Sequence, residues 1–296
     1  MIRTKLVKKE ELFKILFIAY QSESPVLLKG SIGTGKTESF IDFSNSLNLK
    51  KVVRQMTYDT RKEELIGYID PVALNQGRLE RIGGLDESVE ALLIDEIDKC
   101  NSANRNLLLS ILNEKQIFDG SKIINLRKLR LIVGTTNSEI ESEENAAFLD
   151  RFVIKYYVNR IGKDLLNIDL KEKNLEIKVL NDWEKRYEEA MKFVFAILEN
   201  LDNEIPISDR RIVKIKEVLK LYAMYFENLD LYRLIGDTLL EVSPIIYSKY
   251  LPSEFSVKEK ISKISQDLNA IRNSKEKAVL ENKIKEILTS QNIKLS

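Results

Sequence analysis

Histidine is missing from all 296 residues of the chain. Its absence removes imidazole metal ligands, Ser-His and Cys-His nucleophile pairs and imidazole acid–base catalysis. Cysteine is almost as scarce. Cys100 stands alone, so no intrachain disulfide can form, and a reducing, cytoplasmic setting is the expectation. Net charge is close to nil, 47 Lys and Arg against 46 Asp and Glu, so no global field draws the chain to nucleic acid or a membrane surface. No stretch reaches the ~20 apolar residues of a membrane-spanning helix. Chemistry here must run on carboxylates, Lys, Arg, Asn and a metal held by oxygens, and phosphoryl transfer needs nothing more.

What is present begins with Gly30-Ser31-Ile32-Gly33-Thr34-Gly35-Lys36-Thr37. The apolar run Pro25–Leu28 precedes it, and a helix-like segment, Glu38 to Leu47, follows. This is G-x-x-x-x-G-K-[ST] in a strand–loop–helix setting. Glycines let successive backbone N–H groups converge on phosphate oxygens at the positive end of a helix. Lys36 is expected to reach the β- and γ-phosphates, and the Thr37 hydroxyl to sit on Mg²⁺.

A second apolar run, Ala91-Leu92-Leu93-Ile94, ends in Asp95 and Glu96, 59 residues after Lys36. Continuous apolar strands belong to parallel sheets covered on both faces, which bind ligands at the strands' carboxyl ends. Asp95 is read as a Mg²⁺ ligand and Glu96 as the group that orients the attacking water. Leu129–Val133 supplies a further strand leading to Thr135-Thr136-Asn137, where the Asn137 amide can hold the water or the γ-phosphate. Fourteen residues on, Arg151 sits in Phe148-Leu149-Asp150-Arg151-Phe152, followed by an alternation through Val153, Lys155, Tyr157 and Asn159. An ordinary surface arginine paired with Asp150 is the other reading of Arg151.

The ordered elements GSIGTGKT, LLIDEIDK, NRNLLLSILNEKQIFDG, LIVGTTN and FLDRF resemble AAA+ ATPases, most of all the MoxR branch and its RavA-type proteins. Gly77-Arg78-Leu79-Glu80-Arg81 and Ile207-Ser208-Asp209-Arg210-Arg211 fit the same branch, so the likeness spans roughly residues 1–245. The resemblance implies that Asn137 is sensor 1 and that Arg151 is an arginine finger completing a neighbouring subunit's ATP site. It makes Arg210, with Arg211 as the alternative, the sensor 2 arginine touching nucleotide in its own subunit. It implies a homo-oligomer, a hexameric ring, acting on a protein client, with von Willebrand factor A-domain proteins as associated partners. The insertion between Leu65 and Gly84 and the hairpin Ile117–Ile124, turning at Asp119-Gly120, are implied to face the ring axis and engage clients. Three departures stand out: family loops carry prolines where Ser31 and Ile32 stand, Asp98-Lys99 has no assigned role, and the family's lid arginine more often follows Ser-Pro than the Ser208-Asp209 found here.

The expected architecture is therefore an α/β AAA+ P-loop NTPase core over residues 1–160 with a mainly parallel five-stranded sheet. An all-helical lid over 161–250 and a C-terminal helical hairpin over 251–296 follow. Residues 12–18 near the start read as an amphipathic helix packed on the core rather than a signal peptide, because Lys14 interrupts the run. Stripes at Ala190, Val194 and Leu198, and at Ile215, Val218, Leu219 and Tyr222, read as lid packing, with another helix over Leu231–Ile246. Ile261, Ile264, Leu268 and Ile271 form a short helix-pair seam in the tail. The expected function is Mg²⁺-dependent ATP hydrolysis that powers protein remodelling. A nucleic-acid motor, suggested by the basic cluster Lys122, Arg127, Lys128 and Arg130, and a nucleotide-gated binding module with little turnover are the alternatives.

Overall fold

The computed structural model describes residues 2–4, 9–78, 80–119, 122–137, 148–159, 173–175, 177–200, 207–242 and 247–252. Nearly all of the expected C-terminal hairpin, the turn at Gly120 and the segment around Gly162 lie outside these residues. In chain order the elements are β1 (Ile2–Thr4), α1 (Glu10–Ser22), β2 (Val26–Lys29), α2 (Lys36–Ser46) and β3 (Lys51–Gln55). Next come α3 (Lys62–Ile66), β4 (Tyr68–Ile69), α4 (Pro71–Asn75), β5 (Arg81–Ile82) and β6 (Ala91–Asp95). Then follow α5 (Ser102–Glu114), β7 (Gln116–Asp119), β8 (Lys122–Asn125), β9 (Leu131–Thr136) and β10 (Ile154–Tyr157). The last are β11 (Lys173–Leu175) and the helices α6 (Trp183–Asn200), α7 (Asp209–Tyr225) and α8 (Asn228–Leu234).

Five strands form one sheet in the order β10-β2-β9-β6-β3, and every neighbouring pair is parallel. Strands of this sheet carry unbroken apolar runs because both faces are covered. Val26 and Leu28 of β2 join one core with Leu93 and Val133, whereas Leu27 joins the other with Leu92, Ile94 and Ile132. Helix α1 closes the first core with Leu12, Phe13, Ile15, Leu16, Ile18 and Ala19, all buried at helical spacing. Phe13 meets Phe43 of α2 edge-on, ring centroids 6.0 Å apart. Helix α5 closes the second core through Leu107, Leu108, Ile111 and Leu112.

Helix α7 runs against both α1 and α6. Its stripe of Ile215, Val218, Leu219 and Tyr222 is fully buried, as the periodicity predicts. Phe17 and Tyr225 pack edge-on at 5.4 Å across the α1–α7 contact, so the helical region shares a core with the sheet.

Two expectations are corrected. The helix expected over Leu231–Ile246 is α8 followed by a π-helical turn, Ile235–Leu240, which stops at Glu241 in the left-handed region (φ 54°). Gly236 allows the tight packing there, since a Cβ would collide with the Tyr247 ring. The Val153–Asn159 alternation is the strand β10, and Lys155 on it is buried where the π-helical turn covers the strand. Strand β11, in a region read as helical, pairs antiparallel with β1; three-residue strands are too short to show a period.

The fully buried Leu219 gives a stability test. Leu219→Ala is expected to cost ~2–5 kcal/mol in urea unfolding, the range for leucine truncation in a close-packed core. Cys100 supplies the probe. Burial pushes its thiol up to about 11, so at pH 8 only about one thiol in a thousand is ionised and labelling reports opening of the chain.

Candidate functional site

The register of the sheet assembles the site. Lys29 of β2 stands beside Thr136 of β9, Ile94 of β6 beside Gly134, and Gln55 of β3 beside Asp95. The four strands therefore end together, and the loops that leave them meet. Gly30 starts the phosphate loop at φ 148°, donating its N–H to the Thr136 carbonyl at 3.2 Å. A side chain here is excluded twice, since a Cβ would also lie 2.6 Å from the Val158 carbonyl oxygen. Gly35, at φ 79°, turns the chain into α2.

Lys36 threads under the loop. Its ammonium donates to the carbonyls of Gly30 (2.8 Å) and Ser31 (3.0 Å) and to Oδ1 of Asn137 (2.7 Å). Burial pulls its proton affinity below the ordinary lysine value, and Asp95, Asp98 and Glu96 act in the opposite direction. Thr34 braces the turn by donating to the Ser31 carbonyl at 2.9 Å. Gly30 and Ser31 are thus the loop's floor. Residues 32–38 line a cavity of about 310 Å³ with Gln55, Asp95, Glu96 and Asn137.

Both oxygens of Asp95 are engaged. Thr37 donates to Oδ2 at 2.9 Å, and Thr135 donates to Oδ1. Thr135 also accepts from the Glu96 backbone N–H at 3.1 Å. Glu96 is held at φ 54°, a left-handed conformation that costs a non-glycine residue ~1 kcal/mol or more. The turn brings Lys99 back onto its carboxylate at 2.8 Å, and Gln55 donates to the same oxygen at 3.2 Å. Those two hydrogen bonds hold the Glu96 carboxyl below its ordinary value. Lys99, Gln55 and Thr135 are contacts within the site to which the sequence reading gave no role. Lys99 was visible in Asp-Glu-Ile-Asp-Lys, but only the fold shows what it touches.

The donor set fits Mg²⁺. Thr37 and Asp95 offer hard oxygens 2.9 Å apart beside a phosphate loop, the arrangement for an ion that keeps several waters and binds substrate phosphates. Among the described residues no cluster of three or more His, Cys, Asp or Glu forms an all-protein cage.

Arg151, Arg210 and Arg211 line a second cavity of about 150 Å³, whose wall shares no residue with the first. Asp150 organises it. Ser208, the α7 N-cap, donates to Asp150 at 2.6 Å, and Arg211 and Arg151 approach the same carboxylate at 3.8 and 3.5 Å. Arg211 is buried and also donates to the Leu239 carbonyl at 3.0 Å, whereas Arg210 is exposed and donates to the Asn113 carbonyl at 3.4 Å. Neither Arg210 nor its alternative Arg211 lines the cavity at the chain's own phosphate loop; the Ser208 cap ties the start of α7 to the Arg151 turn.

Strand order, phosphate loop and the Asp95–Glu96–Asn137 cluster define an AAA+ P-loop fold. A family profile described as the MoxR domain in the MoxR-vWA-beta-propeller ternary systems matches residues 1–191, and the chain belongs to the MoxR family of AAA+ ATPases. Two proteins of Methanocaldococcus jannaschii, the uncharacterized MJ0079 and MJ0812, are each 28% identical to it. The first alignment covers 90% of this chain and 77% of the relative, the second 74% and 62%. The crystal structure of a candidate ATPase from Cytophaga hutchinsonii superposes with a TM-score of 0.59 at 18% identity, covering 88% of this chain and 90% of that one, a likeness of fold.

Gly30→Ala is expected to weaken ATP binding by at least ~tenfold in equilibrium dialysis, through strain at a position closed to side chains. Ile32→Ala, at a side chain 75% exposed, is expected to leave stability within ~0.5 kcal/mol of the parent.

Proposed function

We propose that the chain hydrolyses ATP with Mg²⁺ at the interfaces of a homo-oligomeric ring and uses the cycle to remodel a protein client. One observation carries this reading: the groups for binding and hydrolysis are divided between two separate cavities. Lys36, Thr37, Asp95, Glu96 and Asn137 surround the phosphate loop, while Arg151 and Arg210 line another wall of the molecule. A cavity with a phosphate loop but no arginine, and a cavity with arginines but no phosphate loop, complement each other between copies.

In this reading the loop N–H groups and Lys36 grip the phosphates, and Thr37 and Asp95 hold Mg²⁺, which supplies charge neutralisation on the phosphate oxygens when bound. Glu96, swung off Lys99 and Gln55, orients the water, and Asn137 holds it against the γ-phosphate. Arg151 enters from the neighbour and stabilises charge on the transferring group, with Arg210 beside it rather than in its own subunit's site. A trans arginine is worth ~10³–10⁵ in rate in phosphoryl transfer.

The client reading rests on apolar side chains left in solvent. Tyr68, Ile69, Val72, Leu74 and Ile82 are exposed on the β4–α4–β5 insertion, as are Phe118 and Ile123 on the β7–β8 hairpin. A von Willebrand factor A-domain partner is proposed from the family description alone. The nucleic-acid alternative is weakened at Arg130, which stacks on Tyr20 at 4.5 Å and pairs with Glu23 at 3.4 Å. Among the described residues no helix is long and apolar enough to cross a membrane. A cytoplasmic location is proposed from the single, buried cysteine.

Arg151→Ala is expected to bind ATP with unchanged affinity and to lose at least ~10³-fold in turnover. Glu96→Gln is expected to retain bound ATP. Mixing the two variants restores turnover at interfaces where an intact Glu96 faces an intact Arg151. Normal turnover by Arg151→Ala alone would refute the divided site.

A further inference from the structure

The Glu241 carboxylate has no part in the chemistry above, yet it gathers three cations from three elements. Lys29 of β2 donates to its Oε1 at 3.0 Å, and Lys155 of β10 and Arg211 of α7 contact its Oε2, the latter at 3.3 Å. It is delivered by a strained device. The π-helical turn Ile235–Leu240 ends at Glu241 with φ 54°, and non-glycine residues hold such a backbone only where their surroundings over-determine it. Burial pushes the Glu241 carboxyl up, but Lys155, Lys29 and Arg211 outweigh that and hold it at about 2. At neutral pH it is therefore an anion.

Each of the three cations leads to a part of the proposed catalytic apparatus. Lys29 immediately precedes Gly30, the first residue of the phosphate loop. Arg211 also faces Asp150, which pairs with Arg151 and accepts from Ser208. Lys155 lies four residues after Arg151, on the strand that the arginine turn enters. The Arg151 turn is thus held from upstream through Asp150 and from downstream through β10, and both holds end on one carboxylate. That carboxylate also grips the strand that carries the chain's own phosphate loop.

We infer that Glu241 is a positioning residue for Arg151: it fixes the arginine turn that a subunit presents to its neighbour and links it to that subunit's own phosphate loop through Lys29. The inference rests on the divided-site reading. Glu241 lies outside the residues matched by the family profile; it lines neither cavity itself and reaches the second only through Arg211. Its effect is exerted through geometry, and displacement of a catalytic group by about 1 Å costs ~10²-fold in rate.

Mixing experiments on the full chain separate this role from a structural one. Glu241→Gln is expected to keep its ATP affinity and KM and to lose ~10- to 100-fold in kcat. Mixed with Glu96→Gln, which lends it an intact arginine, it is expected to recover turnover. Mixed with Arg151→Ala, which must borrow its arginine, it recovers none, whereas wild type mixed with Arg151→Ala does. Equal rescue by both partners, or rescue by neither, overturns the inference, as does full activity of Glu241→Gln. Should Glu241→Gln not fold, Arg211→Lys, which keeps the charge but loses the forked reach to both Asp150 and Glu241, is expected to give the same asymmetric rescue. An inactive wild-type chain at high concentration with ATP and Mg²⁺ would instead refute the divided site itself.

Discussion

The parallel register of β2, β9 and β6 is the constraint on which the rest depends. Because Lys29 pairs with Thr136 and Ile94 with Gly134, three loops from distant parts of the chain emerge at one edge. Lys36 then reaches Asn137, 101 residues away in sequence, at 2.7 Å, and Thr37 reaches Asp95 at 2.9 Å. A slip of one residue would reverse the faces of every strand side chain, taking Leu27 out of one core and Val26 and Leu28 out of the other. The two apolar cores therefore enforce the same register that builds the site. Stability and the geometry of the site are specified by one register.

The helical region adds a second constraint of a different kind. Its contact with α1 is mainly apolar, with an Arg233–Glu11 ion pair at its edge, whereas its grip on the arginine turn is polar, through Ser208, Arg211 and Glu241 around Asp150 and Lys155. Ionic contacts are directional and break over short displacements, whereas apolar contacts tolerate sliding. A region joined to the sheet by both has its position tied to a few named side chains. Lys155 shows the cost of that arrangement, since burial pulls its ammonium down to about 8 despite the carboxylate beside it.

Much of this was legible in the sequence, for identifiable reasons. The phosphate loop, Asp95, Glu96 and Asn137 are each marked by a local pattern, a glycine-rich turn or an apolar run ending in a polar residue, and the structure brings them to one cavity. The parallel sheet follows from unbroken apolar runs, its five strands from the family resemblance, and the buried stripe of α7 from periodicity. Partners defined by tertiary packing were not legible. Gln55 and Lys99 meet on Glu96 only because β3 lies beside β6 and because Glu96 adopts a left-handed turn. The π-helical turn had no pattern to announce it, since Ile235, Leu239 and Leu240 read equally well as ordinary helix. Arg210 was expected at its own phosphate loop by resemblance; where α7 begins is set by Ser208 and Asp150, 58 residues apart.

The central claim is that one chain holds half of a hydrolytic site and needs another copy for the rest. ATPase rate per chain, measured against protein concentration with light scattering on the same samples, tests it most directly. The divided site predicts that the rate per chain rises as monomers associate and levels off once assembly is complete. A rate per chain that stays constant down to dilutions where scattering reports only monomers would contradict it.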